Sequence, residues 1–334
     1  MEKLEISQYK IPLESNFINS SHSYKYIDAI IVRNNKGMDI NYYEISPLIG
    51  FSIETIEMIY DYLSNRRNKN IFDYPSISYG LESLKLSKRK LISAKTAISI
   101  PVTSNLSEKI SEYYLKGFRN FKIKISKRNL KIASDIINDL SKKYKKILFR
   151  LDCNGDFNFN ESMVLLKRLD SKKIEFIEDM NKTISEKNLS NIKKYDYKTC
   201  IDLNKSNINI TKQVIRKKLV NYVAIKPKLI GKEDEIIKFT ELAKKYKTKV
   251  YISSAFETPI GLYKNILLSK KVDKIYKTPI VHGLSTSVYL NKSITKPIEL
   301  DSGKIKLRYG LFSINDLKPF MTKDWIEIQN TKII

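Results

Sequence analysis

The sequence predicts an α/β chain, a β/α barrel capped by a smaller α+β domain, and three observations carry that prediction. Short apolar runs recur, each closed by a charged or polar residue: Lys124, Asp152, Glu178, Asp202, Lys226 and Ser253 follow one another at steps of 28, 26, 24, 24 and 27 residues. One strand, one helix and two short loops need about 30 residues, so each step has room for one βα unit. The chain has 334 residues, which exceeds the ~200–250 that a barrel alone requires. The first 95 residues lack this rhythm and place strands before helices, the order of an α+β unit. The expected division is a capping domain at 1–95, a barrel at 96–296, and a tail at 297–334 that packs back on the cap.

Taken in order, residues 4–13 and 26–33 read as strands, separated by the polar loop Asn19-Ser20-Ser21-His22-Ser23. Asn34-Asn35-Lys36-Gly37 is a turn leading to a third strand that stops at Pro47 and Gly50. Ser52 and Thr55 are helix-starting residues before the helical apolar spacing of 54–63, and Pro75 opens another short helix to 85. The barrel rhythm starts at Ala97. Strands are expected at 98–102, 120–125, at the runs ending in Asp152, Glu178, Asp202 and Lys226, and at 250–253. Helices fall at 106–115 and 129–140. Ile280-Val281-His282-Gly283-Leu284 is the expected eighth strand, and Asp301-Ser302-Gly303 marks a hairpin turn in the tail. Ile147-Leu148-Phe149-Arg150-Leu151-Asp152 is the clearest of these runs. It is apolar up to its carboxylate and is broken by Asn154-Gly155.

Composition narrows the function classes. Hydrophobic residues make up 42% of the chain, enough for a large core, and with ten Gly, nine Pro and no low-complexity tract disorder is not expected. The formal net charge is +25, which raises the question of a nucleic-acid or anionic-membrane partner. Yet the lysines come in scattered ones and twos, as at Lys142-Lys143 and Lys244-Lys245, with no basic arm or stripe. They read as solvated helix faces. The expectation is no nucleic acid and no membrane. Cys153 and Cys200 are too few for a disulfide framework or a thiol metal site and read as small core residues. The first ten residues alternate charged and apolar and lack a signal-peptide core, and no apolar run is long enough to span a bilayer. A cytoplasmic location is expected, and the oligomeric state is left open.

The chemistry lies in the residues that close the runs. At a barrel's active face, functional groups stand at the C-terminal ends of the strands. Asp152, Glu178 and Asp202 at one-unit spacing would converge there, and three carboxylates suit a hard divalent cation such as Mg²⁺. Lys122 and Lys124 alternate along one strand, so both can face the mouth, and Lys226 would approach from the opposite side. A lysine near other cations and partly desolvated loses proton affinity and can act as a base at neutral pH. Two lysines flanking a metal suit removal of a proton next to a carboxylate, with the metal holding the enolate.

These residues carry a resemblance. Lys122-Ile123-Lys124, Asp152-Cys153-Asn154, Glu178, Asp202 and Lys226-Pro227 resemble the site strands of the enolase superfamily, whose fold is a modified TIM barrel under an α+β cap. Ser253-Ser254-Ala255-Phe256-Glu257-Thr258, Gly283-Leu284-Ser285-Thr286, Glu44-Ile45-Ser46-Pro47-Leu48-Ile49-Gly50-Phe51-Ser52 and Pro75-Ser76-Ile77-Ser78-Tyr79-Gly80 are similar to stretches of its o-succinylbenzoate synthase branch. The match spans roughly 40–290.

The resemblance implies a lyase of menaquinone synthesis acting on a small molecule. It would dehydrate 2-succinyl-6-hydroxy-2,4-cyclohexadiene-1-carboxylate to o-succinylbenzoate with Mg²⁺, or Mn²⁺, held by Asp152, Glu178 and Asp202. Lys124 would be base and then acid, and Lys226 would stabilise the enolate. Substrate contacts would come from Lys122, Arg150, Asn154, Ser253, Ser254 and Gly283. The chain departs from the family's pattern in three places. It has Glu178-Asp179-Met180 for Glu-Glu-Pro, Asp202-Leu203 for Asp-Glu, and no Ser-Arg-Gly in the 19–23 loop. A dipeptide epimerase or a muconate-type cycloisomerase shares the two lysines and is the competing reading. A basic nucleic-acid-binding protein with an inactive barrel is the reading from another class.

Overall fold

A computed structural model describes residues 3–18, 23–36, 39–65, 74–82, 91–308 and 311–328. The 19–23 loop, apart from the backbone of Ser23, lies outside the described residues, and His22 with it. The chain opens with three antiparallel strands, β1 (Lys3–Ile18), β2 (Ser23–Lys36) and β3 (Asp39–Ile45), followed by α1 (Ile56–Ser64) and α2 (Pro75–Leu81). Thr55 caps α1 by accepting from Met58 N, and Pro75 begins α2 where no intrahelical donor is needed. The sheet is buried on both sides. Leu4, Ile6, Ile30 and Val32 pack under α1 and α2, while Tyr9, Ile11, Ala29 and Ile31 pack against Leu229, Ala255, Phe256 and Ile260 of the barrel. Burial on both faces explains why β2 reads as the continuous run Ala29-Ile30-Ile31-Val32 rather than an alternation.

The short strand β4 (Ile92–Lys95) leads into a regular βα series. It runs β5 (Ile98–Ile100), α3 (Leu106–Leu115), β6 (Asn120–Lys124), α4 (Leu130–Lys143), β7 (Leu148–Asp152), α5 (Phe159–Arg168), β8 (Ile174–Glu178) and α6 (Glu186–Lys194). It continues through β9 (Thr199–Leu203), α7 (Ile208–Arg216), β10 (Tyr222–Ile225), α8 (Glu233–Lys245), β11 (Lys249–Ile252) and α9 (Pro259–Tyr276). β5 to β11 pair in sequence order as one curled parallel sheet of seven strands. The strands' outer residues meet the helices in apolar clusters, as at Ile123, Leu151 and Ile177, while the inner face of β6 and β7 carries Asn120, Lys122, Lys124, Arg150 and Asp152.

The expected eighth strand is corrected by the structure. Residues 280–284 occupy the gap between β11 and β5 but form no ladder. Single bridges tie Thr96 to His282 and Ser253 to Gly283. The segment's backbone bonds are split between the two edges, His282 N to Lys95 O at 2.9 Å and Gly283 N to Ile252 O at 2.9 Å. The curled sheet is therefore spanned at its eighth place by a crossing segment and not closed by a full strand.

After α10 (Lys292–Thr295), β12 (Ile298–Asp301) and β13 (Lys304–Leu307) form a hairpin that pairs with β4. Its two turn residues, Ser302 (φ 51°) and Gly303 (φ 70°), are both left-handed, as a tight two-residue turn demands. The last strand, β14 (Ile326–Glu327), returns to the edge of β1 with Ile326 opposite Ile6.

Candidate active site

The C-terminal ends of the barrel strands face the cap. Lys124 on β6 is level with Asp152 on β7, which is level with Glu178 on β8. Glu178 is level with Cys200, so Asp202 stands two residues further along β9, and Lys226 follows the end of β10. Between these ends and the cap lies an open cavity of about 700 Å³, counting the space at its mouth. The barrel lines it with Lys122, Lys124, Asp152, Asn154, Lys226 and Ser253, and the cap contributes Tyr24, Leu48 and Phe51.

The charges are interleaved. Lys122 Nζ bridges Asp152 Oδ2 at 2.9 Å and Glu178 Oε1 at 2.7 Å. Lys226 Nζ is paired with Asp202 Oδ2 and stands 5.5 Å from the centre of the Phe51 ring. Asn154 donates to Asp152 Oδ1 at 2.8 Å. Asp179, in the left-handed region at φ 43°, accepts from Asp202 N at 3.1 Å. Among the described residues the Lys124 ammonium makes no ion pair or hydrogen bond, while its carbonyl accepts from Asn129 Nδ2 at 3.1 Å.

The two lysines of β6 are shifted in opposite directions. Burial pulls Lys122 down, but Asp152, Glu178 and Asp202 outweigh it and hold the ammonium well above the usual lysine range. Burial pushes Lys124 below that range, and Lys122 and Lys226 add to the fall against the pull of Asp152. Burial would raise Asp152, yet Lys122, Lys124 and Lys226 hold it below the ordinary carboxylate value. Burial, with Asp152 and Asp202 nearby, raises Glu178 despite Lys122. Burial, with Asp202 and Glu178 beside it, pushes Asp179 well up.

The three carboxylates are neighbours, but their oxygens are not gathered as a ready cage. Among the described residues no group of three His, Cys, Asp or Glu side chains stands so as to hold a metal ion. Lysine ammoniums take the counter-charge role instead. One feature suits a cation: Asp202 Oδ1 is buried with no hydrogen-bond partner among the described residues, an orphan of the kind that a ligand or ion satisfies. The donor set, three carboxylates, is the hard-oxygen chemistry that Mg²⁺ takes.

Several expected substrate contacts have other duties. Arg150 borders the cavity but is 1% exposed. It is paired with Glu175 at 2.8 Å and donates to the Val281 and His282 carbonyls at 2.7 and 3.3 Å. Its guanidinium binds the crossing segment to β7 and β8 while still bordering the cavity. Ser254 also reaches the cavity wall, but its hydroxyl is shared with Thr286 Oγ1 at 2.7 Å and the Gly283 carbonyl at 3.2 Å. Ser253 and Gly283 line the cavity. His282 accepts from Ile252 N through Nδ1 at 3.0 Å and faces Asp273 with Nε2 at 3.3 Å, fully buried.

The residue reading passed over Tyr24, Leu48, Phe256, Thr286 and Tyr251. The cap residues carry no charge pattern to mark them. Tyr251 could have been found, since it lies two residues before Ser253 and shares its face.

A curled parallel sheet with charged side chains at its strand ends, under a cap, is the architecture of a β/α-barrel enzyme. The family can be given more narrowly. The model of the Enolase C-terminal domain-like family matches residues 105–310, and the chain belongs to that family, within the enolase superfamily. The o-succinylbenzoate synthase of Aliivibrio fischeri (strain ATCC 700601 / ES114) is 23% identical over 303 residues, 86% of this chain and 90% of that protein. Among solved structures, the N-succinyl Arg/Lys racemase of Bacillus cereus ATCC 14579 superposes with a TM-score of 0.76 at 18% identity, over 98% of this chain and 100% of that one. The o-succinylbenzoate synthase of Thermosynechococcus elongatus BP-1, complexed with Mg in its active site, gives a TM-score of 0.67 at 16% identity, over 86% and 94%. At these identities the structural likenesses show the fold. No helix among the described residues is long and apolar enough to cross a membrane.

Proposed function

We propose that the protein is an o-succinylbenzoate synthase that dehydrates 2-succinyl-6-hydroxy-2,4-cyclohexadiene-1-carboxylate with a divalent cation. The observation that carries this reading is the pair of dissimilar lysines at one cavity: Lys124 unpaired and low in proton affinity, Lys226 fixed in an ion pair on the other side. Asp152, Glu178 and Asp202 would hold Mg²⁺, or Mn²⁺, which when bound supplies charge stabilisation for a carboxylate that becomes an enolate. Lys124 takes the proton alpha to the carboxylate and then returns it to the departing hydroxide, which leaves as water. Lys226 remains a cation beside the forming ring. Lys122 keeps positive charge next to Lys124 and so helps hold its proton affinity down. Leu48, Phe51 and Phe256 supply an apolar wall for the ring and exclude water. Asn154, Ser253 and Gly283 line the cavity and would meet the substrate's carboxylate and succinyl tail.

An epimerase requires both lysines to exchange protons, one on each face. The unequal pairing of Lys124 and Lys226 favours a single base. The test is a metal-dependent dehydration assay of the purified protein, run beside a panel of dipeptides and N-succinyl amino acids. Aromatic product formed by the wild type and lost in Lys124→Ala is the expected result. Epimerised panel members without dehydration would replace this reading with the racemase one.

A further inference from the structure

Tyr251 stands on the inner face of β11 and takes no part in the proton transfers proposed above. Its hydroxyl donates to Glu178 Oε2 at 2.6 Å, while Lys122 takes Glu178 Oε1 at 2.7 Å. The other approach to Oε2 is the Cys200 thiol at 3.9 Å, a much weaker contact. Tyr251 is 1% exposed, and its ring is fixed from several sides. The Arg150 guanidinium lies 4.9 Å from the ring centre, and Phe176 packs at 5.5 Å. Gly283 leaves room for the ring, since a Cβ there would meet Tyr251 Cε2 at 3.2 Å. The direction of the phenol is therefore set before any ligand arrives.

We propose that Tyr251 is the positioning residue for Glu178, fixing one carboxylate oxygen so that the acid is presented to the cation already oriented. The inference rests on the metal reading above. It gives Arg150 a role at one remove: anchored by Glu175 and two carbonyls, it holds the ring that holds the ligand. Partners of this kind change metal affinity when removed, typically by 10–100-fold.

The experiment is calorimetric titration of Mg²⁺ into metal-free wild type, Tyr251→Phe and Tyr222→Phe, without substrate. Tyr222 is the control, because its ring also packs on Phe176, at 4.6 Å, but carries no bond to Glu178. Wild type and Tyr222→Phe should bind alike, and Tyr251→Phe should bind about tenfold more weakly or worse. Equal affinity for Tyr251→Phe and wild type would overturn the inference alone. A wild type that takes up no Mg²⁺ would overturn the metal reading and this inference with it. If Tyr251→Phe does not fold, Gly283→Leu decides, since its side chain fills the space the ring occupies while the hydroxyl remains. Weakened Mg²⁺ binding supports the role, and unchanged binding removes it.

Discussion

Two residues on one strand show how position sets chemistry. Lys122 and Lys124 share a face of β6, yet one is bound into carboxylates and the other is not. A base must be neutral to act, so the role proposed for Lys124 ties turnover to its neutral fraction. That fraction grows as pH rises and passes one half at the group's pKa, which lies below the ordinary lysine value of about 10.4. The profile of kcat/KM against pH should therefore climb and level off at lower pH than an ordinary lysine would give. A profile that levels off only where an ordinary lysine does would mean an unperturbed group. Lys124→Arg places a cation that does not release its proton at the same point. It should lower kcat by about 10²-fold or more, the scale of a lost general base, with Mg²⁺ affinity near that of wild type by titration.

At the scale of the element, the site was legible because the barrel strands are mostly apolar and each closes on a charged residue at the mouth. The residue that ends each run is then the one at the chemical face, as with Asp152 on β7 and Glu178 on β8. Arg150, a substrate contact implied by the resemblance alone, does not close its run. It lies two residues before Asp152 on the inward face, but Glu175, Phe176 and the carbonyls of 281–282 close over it, and those contacts are long-range in sequence. The crossing segment was misread as a strand for a similar reason. Its apolar residues fit a strand, but its two neighbours each accept only single bridges. The cap's share of the cavity was visible only through the likeness of 44–52 to a known stretch, since Leu48 and Phe51 are ordinary apolar residues. One contact between cap elements is testable. Gly80 of α2 lies so close to β3 that an added Cβ would stand 2.6 Å from Ile45 Cγ1 and 2.7 Å from the Glu44 carbonyl oxygen. Gly80→Ala must push helix and strand apart, and overpacking of this kind costs about 1–3 kcal/mol. Urea unfolding should report that loss. KM for substrate should rise as well, because β3 leads directly to Leu48 and Phe51.

The whole molecule depends on the seam between cap and barrel, which is polar although buried. Lys228 reaches Ser46 Oγ at 2.7 Å, the Ala255 carbonyl at 3.0 Å and Glu257 at 3.1 Å, so one ammonium ties the cap to the loop after β11. Glu44 receives Thr258 N at 3.0 Å across the same seam. Lys264 of α9 is 4% exposed, donates to the Tyr79 carbonyl and lies 3.7 Å over the Tyr79 ring. Burial pushes its ammonium down from 10.5 to about 7, against the pull of Glu82 and Glu233. Unfolding restores the ordinary value. Between about pH 7 and 10.5 the unfolded chain therefore holds a proton at Lys264 that the folded chain does not, and stability contributed by this residue rises with pH across that window. Below about pH 7 the group is charged in both states, and the full penalty of burying the charge applies. Each unit of the window is worth at most about 1.4 kcal/mol. Lys264→Met keeps the apolar stem and removes the titration, so the variant should gain on wild type at pH 6 and lose that advantage progressively by pH 9. The comparison is the difference between the two proteins' unfolding free energies in urea at each pH, which cancels the contribution of every other titrating group. A difference that does not change from pH 6 to pH 9 would mean that Lys264 keeps its charge inside the seam, held by the Tyr79 carbonyl and ring together.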